Sequence, residues 1–128
     1  MLRRMKTHRY AIASLFVVAA FALVQAQSLA GKWAATFDTQ VGQQVYEFNF
    51  VVNGTTLTGT IKGNLTGESM VDKGKVDGKK VTFTENGKFM DMPVTFNYVG
   101  EMTSADEIKF TRTLEGVGSE DLVAKRVK

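Results

Sequence analysis

Two charged residues, Glu85 and Arg112, stand where the sequence pattern predicts apolar side chains. Glu85 shares its alternating phase with Phe83, and Arg112 shares its phase with Phe110. A charge that faces a protein core is costly unless it is paired, and a carboxylate can pair with a guanidinium through two parallel hydrogen bonds. We therefore expect the two side chains to meet each other or to line one mouth of the fold. The alternative is that both lie near strand ends and reach solvent.

Aromatic side chains of the same inward phase can supply apolar and stacking contacts beside these charges. The residues that we predict to bind a ligand are Trp33, Tyr46, Glu85, Tyr98 and Arg112. Since the pattern leaves no outward aromatic platform, binding is expected at a mouth or in the interior. The large number of inward rings favours a filled interior, and an interior that holds one small ligand is the alternative.

An enzymatic interpretation needs more than Glu85. Glycoside hydrolysis normally uses two carboxyl groups that face each other across a cleft. Glu85 is the only inward-phase carboxylate, and the other candidate acids fall in or beside loops: Asp38, Asp72, Asp91, Glu115, Glu120 and Asp121. We therefore predict no catalytic residues. A xylanase-type hydrolase that acts through Glu85 and one loop acid is the alternative.

Several chemistries are excluded by composition. The chain has no cysteine, and its one histidine is His8, in the N-terminal segment. Zinc sites built from Cys and His, haem ligation by these residues, and nucleophiles activated by a histidine are therefore not available to the mature domain. The sequence also lacks an Asp-x-Asp-x-Asp-Gly loop for calcium. We predict no metal site and no cofactor.

The N-terminal segment has the three parts of a secretory signal peptide. Residues 1–10 carry basic and no acidic side chains, residues 11–24 form a run that is apolar except for Ser14, and residues 24–26 precede a cleavage point. We predict a signal peptide over residues 1–26 and a secreted or periplasmic location. Cleavage after Ala30 and an uncleaved membrane anchor are alternatives, the second weakened because a spanning helix needs about 20 apolar residues.

The net charge of +3 belongs to this leader. Removing its four basic residues from the 16 Lys and Arg leaves 12, against 13 Asp and Glu. A domain with no excess of positive charge lacks the electrostatic signature of nucleic-acid binding. Nucleic acid is therefore excluded as a partner, and no stable membrane span is expected once the leader is removed.

The rest of the chain reads as strands joined by tight turns. Val76–Glu85 contains a turn at Asp77 and Gly78 followed by strict alternation, and Asn53 with Gly54 repeats that pattern upstream. Only Ser69–Val76 has no clear phase. The pattern predicts one all-β domain over residues 27–128, an eight-stranded antiparallel up-and-down barrel. Closing the sheet buries its apolar face and removes its edges, and a two-sheet sandwich is the alternative.

One short motif resembles the opening of the calycin barrels, the lipocalins and avidins. It consists of Gly31, Lys32 and Trp33 at the first strand, with Leu57–Thr60 after a hairpin. In those families the tryptophan closes one barrel end beneath a basic side chain of the last strand. The resemblance implies that Trp33 packs against Arg126 or Lys125.

A longer set of segments resembles small exported bacterial domains that occur alone or beside secreted glycoside hydrolases. The matching segments are Gly31–Thr39, Val76–Glu85, Ile108–Arg112 and Val123–Arg126. The resemblance implies a carbohydrate or an exported carbohydrate enzyme as partner, and it implies no activity. We therefore expect a non-enzymatic exported domain that binds a small apolar or carbohydrate ligand or assists such enzymes. A hydrolase and a structural or interaction domain of the cell envelope are the alternatives.

Overall fold

The computed structural model describes residues 29–128. The predicted signal peptide, residues 1–26, lies outside this range. The described part of the chain contains no helix long and apolar enough to cross a membrane.

Residues 29–128 form a closed barrel of eight antiparallel strands, each paired with its neighbours in chain order. The strands are β1 (Gly31–Thr39), β2 (Gly42–Asn53), β3 (Thr56–Gly63), β4 (Gly67–Asp77), β5 (Lys80–Phe89), β6 (Met92–Ser104), β7 (Glu107–Leu114) and β8 (Gly118–Arg126). The predicted all-β up-and-down barrel is confirmed, and the sheet closes on itself instead of splitting into a sandwich.

Successive turns alternate between the two ends of the barrel. The turns after β2, β4 and β6 lie at the end where β1 begins and β8 finishes, which we call the closed end. Two of them use Gly54 and Gly78 with φ of +64° and +58°, a conformation that glycine adopts without strain. The turns after β1, β3, β5 and β7 form the opposite end, which we call the open end.

The middle of the barrel is filled by aromatic rings, as the inward alternation predicts. Phe83 and Tyr98 stack with their ring centroids 4.4 Å apart, and Phe48 lies 6.0 Å from Phe83 and from Phe110. Space for Phe110 depends on Gly100 in β6, because a Cβ atom there would lie 2.3 Å from the phenyl ring. Close packing of this kind leaves no channel through the centre.

The structure of β4 shows why the sequence of this strand has no clear alternation of inward and outward side chains. The β4–β5 register shifts between Asp72 and Lys75, and Lys73 has φ of +52°. An extra residue of this kind reverses which side chains face inward along the rest of the strand. Val76 is the one residue of β4 that is fully buried.

The barrel closes over a short seam. β1 and β8 pair only at Trp33 with Arg126 and at Ala34 with Lys125, whereas β1 and β2 pair along the whole of β1. Both seam pairs lie toward the closed end. Toward the open end, β1 and β8 form no further register pairs.

Candidate functional site

The open end contains a cavity of about 710 Å³, which is lined in part by the end of β1 and the start of β8. Its walls include the apolar side chains of Val41, Phe89, Val94, Leu114 and Val117. Gln44, Thr66 and Arg112 line it from below, and Asp38 and Glu120 add two carboxylates. A volume of this size falls within the range of small-molecule pockets in proteins.

Arg112 on β7 is directed into the barrel, and its side chain is only 1% exposed. The β7–β8 pairing places it opposite Glu120. Its Nε donates to Glu120 Oε1 at 2.7 Å, and its Nη2 donates both to that oxygen and to Gln44 Oε1, the latter at 3.1 Å. Charge-assisted bonds of this kind fix the plane of the guanidinium.

Three rings surround the guanidinium of Arg112. Its central carbon lies 4.0 Å from the ring centre of Phe96, 5.0 Å from that of Phe37 and 5.1 Å from that of Tyr46. Ring faces attract a cation, and the attraction grows when water is excluded. Burial alone would lower the pKa of Arg112, but Tyr98, Tyr46 and Glu120 outweigh it and raise that pKa above its ordinary value. Arg112 is therefore a buried, permanently charged group.

Glu85 on β5 is fully buried just below Arg112. Its Oε1 accepts a hydrogen bond from the Tyr98 hydroxyl at 2.7 Å, and its Oε2 accepts from Tyr46 at 2.9 Å and from Thr66 at 3.3 Å. The hydroxyl oxygens of Tyr46 and Thr66 lie 2.5 Å apart. Gly63 makes that contact possible, because a Cβ atom there would lie 2.4 Å from Thr66 Oγ1.

Burial raises the pKa of Glu85, because an ionised carboxylate loses its hydration inside the barrel. Hydrogen bonds from Tyr98 and Tyr46 and the positive charge of Arg112 oppose this effect without cancelling it. Burial, and after it the negative charge of Glu85, also raises the pKa of Tyr46 and of Tyr98. Both phenols therefore keep their protons and act as donors toward Glu85.

Glu85 and Arg112 belong to one network but form no direct hydrogen bond. The Tyr98 hydroxyl joins them, since it donates to Glu85 and accepts from Arg112 Nη1 at 3.5 Å. Arg112 lines the cavity, whereas Glu85 lies one layer deeper. The two side chains therefore meet through the Tyr98 hydroxyl, only Arg112 lines the mouth, and neither side chain reaches solvent.

Trp33 lies far from this network, at the closed end. Its indole N–H donates to the carbonyl of Leu29 at 2.9 Å, and the guanidinium of Arg126 lies 4.4 Å from its ring centre. Lys125, the other basic candidate, is directed outward and donates to Glu107 at 2.7 Å. The structure thus brings together four of the five proposed ligand-binding residues and separates Trp33 from them.

Three further members of the site, Gln44, Thr66 and Glu120, are not among the predicted ligand-binding residues. Gln44 could have been found by extending the inward phase of Tyr46 backward by two residues. Glu120 is predicted only as a candidate acid in or beside a loop, and the β7–β8 register brings it into the site. Thr66 lies in the turn before β4, where alternation gives no signal.

The site offers one cation, several carboxylates and hydroxyl groups above a packed core. Residues 29–128 contain no group of three or more His, Cys, Asp or Glu side chains that could hold a metal ion. Both oxygens of Glu85 accept from hydroxyl donors, whereas Glu120 lines the cavity and accepts from Arg112. No known protein family, curated protein or solved structure matches this chain.

Proposed function

We propose that this protein is a non-enzymatic exported domain that binds a small, mainly apolar molecule in the cavity of the open end. The observation that carries the proposal is the cavity itself, about 710 Å³ with apolar walls above a hydrogen-bonded polar floor. An apolar body would contact Phe89, Val94 and Leu114, while a polar group would meet the floor. Pockets that combine apolar walls with a few fixed polar groups are typical of small-molecule sites.

The floor supports binding because its geometry is fixed before a ligand arrives. Arg112 is held by Glu120, Gln44 and Tyr98, and Tyr98 is held in turn by Glu85. Side chains that are already ordered lose little conformational entropy on binding. The buried network therefore has a role in positioning the floor of the site as well as in stabilising the barrel.

The rim of the cavity is unusually apolar for a protein surface. Val41, Met90, Met92 and Val117 lie in or beside the open-end turns and are 57 to 82% exposed. Exposed apolar side chains that cluster around a pocket are typical of a binding surface. The rim favours an apolar ligand that enters through the open end.

Export is part of the proposal and rests on residues 1–26. A basic segment, an apolar run and small residues before a cleavage point are the features that direct a chain across a membrane. A small-molecule carrier outside the cytoplasm, alone or beside secreted carbohydrate-active enzymes, is consistent with that route. N-terminal sequencing of the protein recovered from the host culture tests whether the leader is removed.

The arrangement does not favour the glycoside hydrolase alternative. Glu85 is fully buried, and its two oxygens already accept hydrogen bonds from Tyr98, Tyr46 and Thr66. A general acid or nucleophile has to reach the scissile bond. The residue that the alternative requires therefore lies beneath the cavity floor instead of facing a substrate.

A dye titration tests the proposed function. N-phenyl-1-naphthylamine is uncharged and becomes fluorescent in apolar sites, so we expect saturable binding of one dye per protein. Leu114→Trp places a large ring in the cavity wall, and this variant is expected to lose the signal. Val51→Trp adds the same ring to the exposed outer wall and serves as the matched control. Thermal unfolding of both variants checks that each still folds.

The outcomes separate a binding domain from a structural one. Saturable dye binding that disappears in Leu114→Trp and persists in Val51→Trp supports the proposal. A wild-type protein that shows no saturable signal would instead favour the structural or interaction domain of the cell envelope. Equal binding by both variants would place the dye outside the open-end cavity and contradict the proposal.

A further inference from the structure

Hydrogen-bond donors and acceptors are unequally available at the cavity floor. Every nitrogen of the Arg112 guanidinium already donates to a protein oxygen, with Glu120, Gln44 and Tyr98 as the acceptors. The Gln44 amide nitrogen donates to Thr39 at 3.2 Å. Four of the five guanidinium N–H groups are therefore engaged within residues 29–128 before any ligand arrives, and one N–H of Nη1 and one of the Gln44 amide remain.

Glu120, in contrast, supplies a hydrogen-bond acceptor. Arg112 donates to its Oε1, whereas its Oε2 accepts no hydrogen bond from residues 29–128. Its side chain is 30% exposed and lines the cavity. A carboxylate oxygen that borders an apolar pocket and lacks a protein donor is a strong acceptor for a ligand group.

The charges around the cavity also favour a ligand that carries a positive charge. Asp38 adds a second carboxylate to the wall, and Arg112 is the only cation among the residues that line the cavity. Arg112 is already paired with Glu120, so its positive charge is compensated inside the protein. The potential that a ligand meets is thus set mainly by carboxylates.

We propose that the cavity selects hydrophobic amines, in which a protonated amino group donates to Glu120 Oε2 and an apolar chain or ring fills the space beside Phe89, Val94 and Leu114. This inference rests on the proposed binding function and names its ligand class. Asp38 contributes longer-range attraction at the entrance.

A buried arginine at the base of a pocket would ordinarily suggest an anionic ligand such as a fatty acid. Here a ligand carboxylate bound to Arg112 would lie close to the carboxylate of Glu120, which already accepts from Nε and Nη2. Like charges at close range oppose each other strongly where water is scarce. Glu120 therefore occupies the anion position itself and reverses the preference that Arg112 alone would give.

Three ligands of equal chain length test the selection: decylamine, decanol and decanoate. Their dissociation constants are measured by calorimetry near neutral pH and below their micellar concentrations. A hydrogen bond to a charged group typically contributes enough for about a tenfold change in affinity. We expect decylamine to bind about tenfold more tightly than decanol and decanoate to bind more weakly than decanol.

Two isosteric variants locate the effect. Glu120→Gln removes the negative charge at the floor, and we expect it to bring the affinity for decylamine to that of decanol. Glu115→Gln removes one negative charge from the exposed turn after β7 and does not line the cavity, so it should keep the wild-type order. The wild-type order tests the proposal on its own if Glu120→Gln weakens the fold.

Each outcome has a separate meaning. Decanol binding with decylamine no tighter, or with decanoate tightest, would overturn the amine selection and leave the binding function in place. An unchanged decylamine advantage in a folded Glu120→Gln variant would also overturn the assignment to Glu120. The absence of saturable binding by the dye and by all three decyl compounds would overturn both proposals.

Discussion

The two ends of the barrel each hold an arginine against an aromatic ring, but they anchor it differently. At the closed end, Arg126 lies over Trp33 and donates to the backbone carbonyls of Ala30 and Ala105 at 2.9 to 3.1 Å. At the open end, Arg112 lies over Phe96, and its partners are side chains. The first arginine ties chain segments together, whereas the second holds a set of polar side chains.

This difference separates a sealing role from a site-building role. Backbone carbonyls stay in place when a side chain is exchanged, and those at the closed end lie near water that can replace a lost donor. Two partners of Arg112, Gln44 and Tyr98, are buried, and the third is the carboxylate of Glu120, so the group depends on the charge of Arg112. We expect substitutions at the open end to have the larger energetic cost.

Replacement of Arg112 has the largest expected effect. Arg112→Leu keeps most of the apolar volume and leaves Glu120 and Glu85 without their cation. Removing one partner from a buried charge network typically destabilises a protein by about 3 to 5 kcal/mol. Urea unfolding followed by Trp33 fluorescence measures the change.

A double variant shows the origin of that loss. If uncompensated charge is the cause, Arg112→Leu combined with Glu85→Gln should be more stable than Arg112→Leu alone, because one buried carboxylate has been removed. A loss below about 1 kcal/mol for the single variant would contradict the comparison between the two ends.

Replacement of Arg126 has a smaller expected effect. Arg126→Leu removes one cation–π contact and the bonds to the carbonyls of Ala30 and Ala105, which water can partly replace. A loss of about 1 to 2 kcal/mol is expected, together with a change in Trp33 emission. Arg126 also forms an ion pair with Asp106 at 3.4 Å, and Lys128→Leu is the matched control because the exposed Lys128 lies at the same distance from that carboxylate. A cost as large as that of Arg112→Leu would remove the distinction.

As pH rises, the contribution of Glu85 to the unfolding free energy should fall, whereas that of Glu107 at the closed end should rise. The raised pKa of Glu85 means that its stabilising contribution is complete below the unfolded-state pKa, about 4.3, and is lost as pH rises through the folded-state value. The unfolding free energy of wild type should therefore fall relative to Glu85→Gln above about pH 4.5, by at most about 1.4 kcal/mol per pH unit.

At the closed end, the hydrogen bond from Lys125, with one from Thr103, lowers the pKa of Glu107. Its contribution is present above the unfolded-state pKa and is lost as pH falls through the folded-state value. Wild type should therefore lose stability relative to Glu107→Gln in acid. Equal slopes for the two variants across pH 3 to 8 would show that the ends do not differ in this respect.

The turns give the smallest expected effect. The open-end turn after β5 holds Met90 and Asp91 at φ of +50° and +66°, where closed-end turns use Gly54 and Gly78. Met90→Gly should stabilise the protein by about 0.5 to 1 kcal/mol, because glycine removes the left-handed strain. Gly54→Ala should destabilise it by about 1 kcal/mol, since no atom lies near the added methyl group and only conformation changes. Thermal unfolding compares the two.

Most of the fold was predictable because two local features of the sequence, the alternation of apolar and polar residues and the turn residues, determine the strands and their connections. The inward phase of Phe83 and Glu85 on β5, and of Phe110 and Arg112 on β7, follows from a period of two that the barrel preserves. The exception was β4, where the shift near Lys73 changes the phase and no local pattern announces it.

The partners within the site were less predictable because they depend on register and on turns. Alternation identified Glu85 and Arg112 as inward, but not that the Tyr98 hydroxyl would lie between them. Glu120 reaches Arg112 only because the turn after β7 sets their strands in register. The inward phase of Trp33 was correct, but phase alone does not say which end of a barrel a residue occupies.

The route of the chain at the closed end determines how this domain can be tethered. Arg126 Nη1 donates to the carbonyl of Ala30 at 2.9 Å, so the first and last strands enter and leave side by side. A fusion partner or linker joined directly to the start of β1 or to the end of β8 would leave the domain at the closed end. The mouth would then point away from the attachment, which suits immobilised display of the domain and tandem fusions in which every copy keeps its entrance clear.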